Sequence, residues 1–186
     1  MLFRSDDGGK LAYFLAEKDT VLLEELPLSH QNGYVAIVIG ATGWTKKLPY
    51  QKLVELCKKV NQPIILLGGK EEVALAEMVE KSLQPLVFNA CNQFSLNQSV
   101  YLGKEALYII GQDTGLTHIL ASFDKQIFGI YGGTVPQHCY PYTPNRIIIQ
   151  NKQLACRPCS RSGKDFCPKG HFKCMQDLDF EEVKLP

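Results

Sequence analysis

The sequence predicts an α/β fold, a doubly wound, mainly parallel, Rossmann-like sheet that ends in a cysteine-rich irregular tail. Three observations carry this expectation. Short β-branched runs alternate with amphipathic helical patterns from residue 34 onward, at the pitch of strand-helix repeats. Glycine-rich polar segments follow four of the strand runs, which gathers them on one rim of such a sheet, where ligands bind. From Asn151 the periodicity stops, and Cys156, Cys159, Cys167 and Cys174 crowd the final stretch.

Taken in order, residues 1–33 begin no strand-helix repeat and end in the turn-rich Pro27-Leu28-Ser29-His30-Gln31-Asn32-Gly33, so they read as a lead-in from an upstream domain. The first strand is expected at 34–39, ahead of Gly40-Ala41-Thr42-Gly43. Leu53, Leu56, Cys57 and Val60 then recur at three- and four-residue spacing, which puts them on one stripe of a helix. A strand at 63–67 precedes Gly68-Gly69-Lys70-Glu71-Glu72, and Leu75, Met78, Val79 and Leu83 form a second stripe. A short strand at 86–88 leads to a helix over 96–102, with Ser95 as its cap. After a fourth strand at 106–110, Leu116, Ile119, Leu120 and Phe123 give the third stripe. Strands at 126–130 and 147–149 complete a domain spanning 34–150, and Gly132-Gly133-Thr134 follows the first of them.

The most informative segment is 111–118, Gly-Gln-Asp-Thr-Gly-Leu-Thr-His, expected at a strand-to-helix corner. Asp113 and Thr114 are both good helix N-caps, Gly115 lets a ligand approach the backbone closely, and His118 follows one turn later. Free N–H groups at such a corner are aimed at an anion.

Composition narrows the partners. The 186 residues, 45% hydrophobic and 21% charged, are ordinary for a globular chain. A formal charge of +1 gives no general footprint for nucleic acid or an anionic membrane, so anion recognition must be local. No apolar run has the roughly 18 residues of a membrane span. The first nine residues lack a secretory h-region, and the chain reads as cytoplasmic.

Read together, four stretches resemble glycosyltransferase family 9, the ADP-heptose:lipopolysaccharide heptosyltransferases. They are Gly40-Ala41 through Lys46-Lys47-Leu48-Pro49, Leu66 through Glu72, Asp113 through His118, and Phe128 through Pro136. The likeness covers residues 34–175 and only the C-terminal, donor-binding half of the family's two-domain GT-B architecture. The family's proposed base, an aspartate of the acceptor half, has no counterpart here.

The resemblance implies transfer of a sugar from a nucleotide sugar, for which the protein must stabilise a leaving diphosphate without a required cofactor. Thr114, Gly115 and Leu116 would offer backbone N–H groups, and Lys46, matching the family's Lys-x-x-Pro element, a full charge. Lys47 beside it is expected to be solvated. Asp113 would bind donor sugar hydroxyls or cap the helix, His118 would contact phosphate or sugar, and Thr134 would donate to a phosphate or form a turn. Glu71 or Glu72 would accept from ribose hydroxyls, with Glu72 the chosen candidate.

In a reducing cytosol, clustered cysteines point to metal more often than to disulfides. Cys156-Arg157-Pro158-Cys159 is good geometry for half of a tetrahedral zinc site, with Cys167 and Cys174 spaced more loosely as the other half. Residues 151–186 are therefore expected to form a tail packed on the domain and stapled by a structural zinc. Reduced, inert thiols and disulfides are the alternatives.

The sequence thus reads as the donor-binding domain of an inverting glycosyltransferase that takes ADP-heptose and serves lipopolysaccharide core at the inner face of the membrane. Alone it is expected to bind nucleotide without transferring sugar. The competing readings are a stand-alone nucleotide- or phosphate-binding module and a metal-stapled interaction domain.

Overall fold

The computed structural model describes residue 9, residues 11–137 and residues 139–183. The first eight residues of the expected lead-in lie outside the described residues, as do residues 10, 138 and 184–186. Six strands form one sheet: β1 (Val35–Val38), β2 (Ile64–Leu67), β3 (Val87–Asn89), β4 (Ile109–Gln112), β5 (Ile127–Ile130) and β6 (Arg146–Ile149). Every pairing is parallel, and the order is β3-β2-β1-β4-β5-β6. Strands β1, β2, β4 and β5 are buried along their whole length, because helices cover both faces.

The alternation of the strands divides the core in two. Val35, Ile37, Ile64 and Leu66 point to the face covered by α1 (Tyr50–Val60) and α2 (Val73–Leu83). Ala36, Val38, Ile65 and Leu67 point to the face of α3 (Leu96–Glu105) and α4 (Gly115–Leu120). The stripe of α1 is as expected, with Leu53, Leu56, Cys57 and Val60 all buried. Ser95 caps α3 by accepting from the Gln98 N–H at 3.2 Å, while the Gln98 side chain accepts from the Ser95 N–H at 3.0 Å.

Two expectations need correction. In α2 the buried residues are Ala76 and Val79, and Met78 is exposed, because small Ala76 lets the helix sit close to the sheet and turns Met78 outward. Strand β4 begins later than the apolar run and continues through Gly111 and Gln112, so the corner shrinks to Asp113 and Thr114. A side chain at Gly111 would collide with Thr117, whose hydroxyl donates to the Gln112 carbonyl at 2.8 Å; glycine there lets α4 fold back on its own strand. The tail packs into the core of the domain. Phe172, Met175, Leu178, Phe180 and Val183 are buried in the cluster of α1 and β1, and Trp44 stacks on Phe172 at 4.0 Å between ring centroids.

The lead-in also docks on the body. It forms three short 3-10 turns, Glu17–Asp19, Leu23–Glu25 and Leu28–His30, and buries Val21 and Leu26. His30 is buried, with Nε2 3.0 Å from the Ile64 carbonyl and Nδ1 3.0 Å from the Ser29 hydroxyl.

Candidate functional site

The chain reverses its winding direction between β1 and β4, and in a sheet of this order the crevice beyond that point is where ligands bind. A cleft of about 340 Å³ opens there, walled by Val38 and Gly40 after β1, Gly68 and Gly69 after β2, Phe94, Leu96 and Ser99 of the α3 region, and Thr114, Gly115 and Leu116. A second trough, bounded by Thr42, Glu71 and Asp165, shares Gly40, Gly69 and Thr114 with it. The two form one channel across the strand ends. A comparable cleft beside β6 is bordered by Asp177, Asp179, Glu181 and Glu182 and is unsuited to an anion.

At the corner Thr114 takes the N-cap position of α4 with extended backbone, and its side chain makes no capping bond. The first N–H groups of a helix have no partner within it, so those of Gly115 and Leu116 face the channel free of intrahelical bonds. A Cβ at Gly115 would meet no protein atom within 4 Å. The fold therefore does not require glycine here, and the space beside it is open.

Asp113 does not cap the helix; it is the hub of the site. Its Oδ2 accepts from the Thr134 hydroxyl at 2.9 Å and lies 3.5 Å from Lys46 Nζ, while Oδ1 lies 3.3 Å from His118 Nε2. Burial alone would raise its pKa, but His118, the Lys46 charge and the Thr134 hydroxyl outweigh it and hold the carboxylate below its usual range. Lys46, Asp113, His118 and Thr134, four sequence candidates from the segments that follow three strands, are thus joined in one network. Thr134 is 1% exposed and gives its hydroxyl proton to Asp113, so it acts here by orienting the carboxylate.

Glu72 is largely buried on the wall of the second trough. Its Oε2 accepts from the Gly69 N–H at 3.0 Å, and its Oε1 is 2.6 Å from Lys47 Nζ. Lys47, expected to be solvated, is instead the ion-pair partner that holds this buried carboxylate, and the pairing raises its own pKa against a burial that would lower it. Glu71 is exposed.

Sequence reasoning missed Arg157. From inside the Cys-x-x-Cys knuckle its guanidinium donates to the carbonyls of Tyr131 at 3.0 Å, Thr134 at 2.8 Å and Asn151 at 2.6 Å, and to that of Gly132. It fixes the backbone that presents Thr134 to Asp113. Gly132 and Gly133 belong to the same joint, since a Cβ at either would fall 2.8 Å from Met175 or 2.9 Å from Cys159. These two glycines serve tail packing. Only the cysteines flanking Arg157 hinted at it.

The four tail cysteines are free thiols that share one neighbourhood, the Cys174 thiol being influenced by Cys156, Cys159 and Cys167. His171 Nε2 lies 3.7 Å from Cys156 Sγ, and backbone N–H groups of Lys169, Gly170, His171 and Phe172 are directed at Cys167.

A parallel sheet in this order, with its channel at the winding reversal and amides exposed at the corner, defines the ligand-binding domain of Rossmann-like α/β proteins. The chain belongs to glycosyltransferase family 9 (heptosyltransferase), which it matches over residues 12–169. That match begins inside the lead-in. It is similar to lipooligosaccharide heptosyltransferase 2 of Haemophilus ducreyi, with 28% identity over 146 residues, covering 73% of this chain and 42% of the relative. Among solved structures it resembles ADP-heptose LPS heptosyltransferase II of E. coli, with TM-score 0.65 and 17% identity over 88% of this chain and 52% of that one. It also resembles E. coli heptosyltransferase WaaC with ADP, with TM-score 0.59 and 24% identity over 68% and 40% of the two chains. The chain spans about two fifths of the length of the curated relatives it matches. Among the described residues no helix is long and apolar enough to cross a membrane.

Proposed function

We propose that this chain is the donor-binding half of an inverting glycosyltransferase that takes ADP-heptose and delivers heptose to lipopolysaccharide core held by an acceptor half. One observation carries the reading: Asp113, tied to Lys46 and Thr134, directly precedes Thr114, where the first turn of α4 lines the channel. The relatives' names and the ADP in the E. coli structure supply the donor class.

In this reading the acceptor hydroxyl attacks the anomeric carbon from the face opposite the leaving group, and the bond from that carbon to the diphosphate oxygen breaks. The diphosphate leaves with an additional negative charge. The N–H groups of Thr114, Gly115 and Leu116 and the Lys46 ammonium stabilise it in a partly dehydrated channel, where such donors act more strongly than in water. Asp113 holds Lys46 in place and offers its Oδ1 side, with His118, to the sugar. The apolar part of the cleft, with Phe94 and Leu96, takes the base. The base that activates the acceptor comes from the other half, so this chain alone binds nucleotide without turnover. The reaction is assigned to the cytoplasmic face of the inner membrane.

We read the tail as metal-stapled. Its donors, four free thiols with backbone N–H groups aimed at Cys167, are of the type a soft ion such as zinc takes, though among the described residues no three of them lie within 4.8 Å of one another. Cys156, Cys159, Cys167 and Cys174 would hold it, and the ion would brace the segment carrying Arg157. Metal content of the purified chain, with its melting temperature before and after chelation, tests this.

Calorimetric titration of ADP into the chain tests the main reading. Saturable binding that Asp113→Ala weakens is expected. No heat up to millimolar ADP leaves the fold assignment standing and removes the donor site.

A further inference from the structure

Cys139 is an exposed cysteine outside the tail cluster, and the donor reading gives it no role. Its Sγ lies 3.4 Å from His118 Nε2, and the same Nε2 lies 3.3 Å from Asp113 Oδ1. One donor atom from each of the three residues falls within 4.8 Å of the other two, the one such grouping among the described residues.

From this geometry we infer that Asp113, His118 and Cys139 form a binding site for a zinc-class divalent transition metal. The two separations from His118 Nε2 are those of a tetrahedral ion, since bonds of about 2.0 Å to nitrogen and oxygen and about 2.3 Å to sulfur put neighbouring ligand atoms roughly 3.3–3.5 Å apart, and the Asp113 and Cys139 donors lie within 4.8 Å of each other. Carboxylate, imidazole and thiolate are the three ligand types zinc accepts, and three protein ligands leave a fourth position open. The charges also balance, since aspartate and thiolate neutralise a dication.

The surroundings hold the ligands in place. Asp113 turns Oδ2 to Thr134 and Lys46, which leaves Oδ1 for the ion and fixes the carboxylate from behind. The backbone at Cys139 is anchored by the Tyr131 hydroxyl, which donates to its carbonyl at 2.6 Å, and by its own N–H to the Pro136 carbonyl at 3.1 Å. Among the described residues Lys46 is the lysine paired with the group, and it addresses the other carboxylate oxygen. The site stands on these donors alone; it takes the Oδ1 and Nε2 atoms that the donor reading offers to the sugar, so ion and sugar compete for them. An ion there joins the loop after β5 to the corner of α4.

The test is alkylation of Cys139 in the full chain, read by mass spectrometry of its own peptide with and without Zn²⁺. A bound ion takes the thiolate out of reach and slows the reaction at least tenfold, and EDTA restores it. His118→Gln, at a half-buried position, removes the central donor and returns Cys139 to the metal-free rate whatever the tail peptides do. In a Co²⁺ titration the native chain takes up one more equivalent with a tetrahedral thiolate spectrum than Cys139→Ser. Equal alkylation with and without saturating Zn²⁺, protection that survives His118→Gln, or equal cobalt uptake by the native chain and Cys139→Ser overturns the site.

Discussion

Arg157 reaches from the cysteine-rich tail to the carbonyl of Thr134 at 2.8 Å, and Thr134 in turn donates to Asp113 at 2.9 Å. The tail is therefore part of the frame of the site. Two hydrogen bonds separate the knuckle from the corner carboxylate.

Replacing Arg157 by Met keeps much of the volume and removes every donor, leaving the carbonyls of Tyr131, Gly132, Thr134 and Asn151 short of a partner. A loss of about 2–4 kcal/mol in unfolding free energy is expected, since each buried acceptor left unpaired costs about 1 kcal/mol or more. Urea denaturation followed by circular dichroism measures it. An unchanged midpoint would show that the frame does not depend on the guanidinium.

Asp113→Ala and Lys46→Ala each break the ion pair at the corner without cutting into the hydrophobic core. Hydrogen bonds to charged groups are worth about 1.5–3 kcal/mol, so ADP affinity is expected to fall roughly 10- to 100-fold in either variant, with native circular dichroism. Affinity unchanged in both would move the diphosphate away from this corner.

Gly111 and Gly115 stand four residues apart and respond oppositely to the same change. Alanine at 111 collides with Thr117 and is expected to lower the melting temperature, whereas alanine at 115 enters open space and leaves it within a few degrees. Only Gly115→Ala is folded well enough to read binding, and a methyl on the channel wall is expected to weaken ADP. Differential scanning fluorimetry with and without ADP separates the two effects.

His30 gives the fold a pH dependence. Burial lowers its pKa from 6.5, more than the carbonyls of Ile64 and Leu86 and the charge of Glu80 can raise it. The unfolded chain then takes up the proton more readily than the folded one, so the contribution to stability is complete above pH 6.5 and is lost as pH falls through the depressed folded value. The urea midpoint is expected to drop between pH 7.5 and 5 in the native chain, and His30→Gln to flatten that slope. Parallel slopes in the two proteins would remove His30 from the account.

Much of this protein was legible from local pattern. Strands β1, β2, β3, β5 and β6 match their β-branched runs to within a residue or two, and the stripe of α1 is buried residue for residue, because periodicity is a property of neighbours along the chain. The polar rim follows from the strand ends, and Lys46, Asp113, His118 and Thr134 all stand in the segments that form it. Only the tertiary structure decided how they act. It made Asp113 a hub instead of a cap, paired Lys47 with Glu72, brought Arg157 under Thr134 and set Cys139 beside His118. Each of these contacts joins residues more than twenty positions apart or depends on which side chain wins a buried partner. Spacing along the chain carries no record of such a choice, which is made by packing and by the need of every buried polar atom for a hydrogen bond.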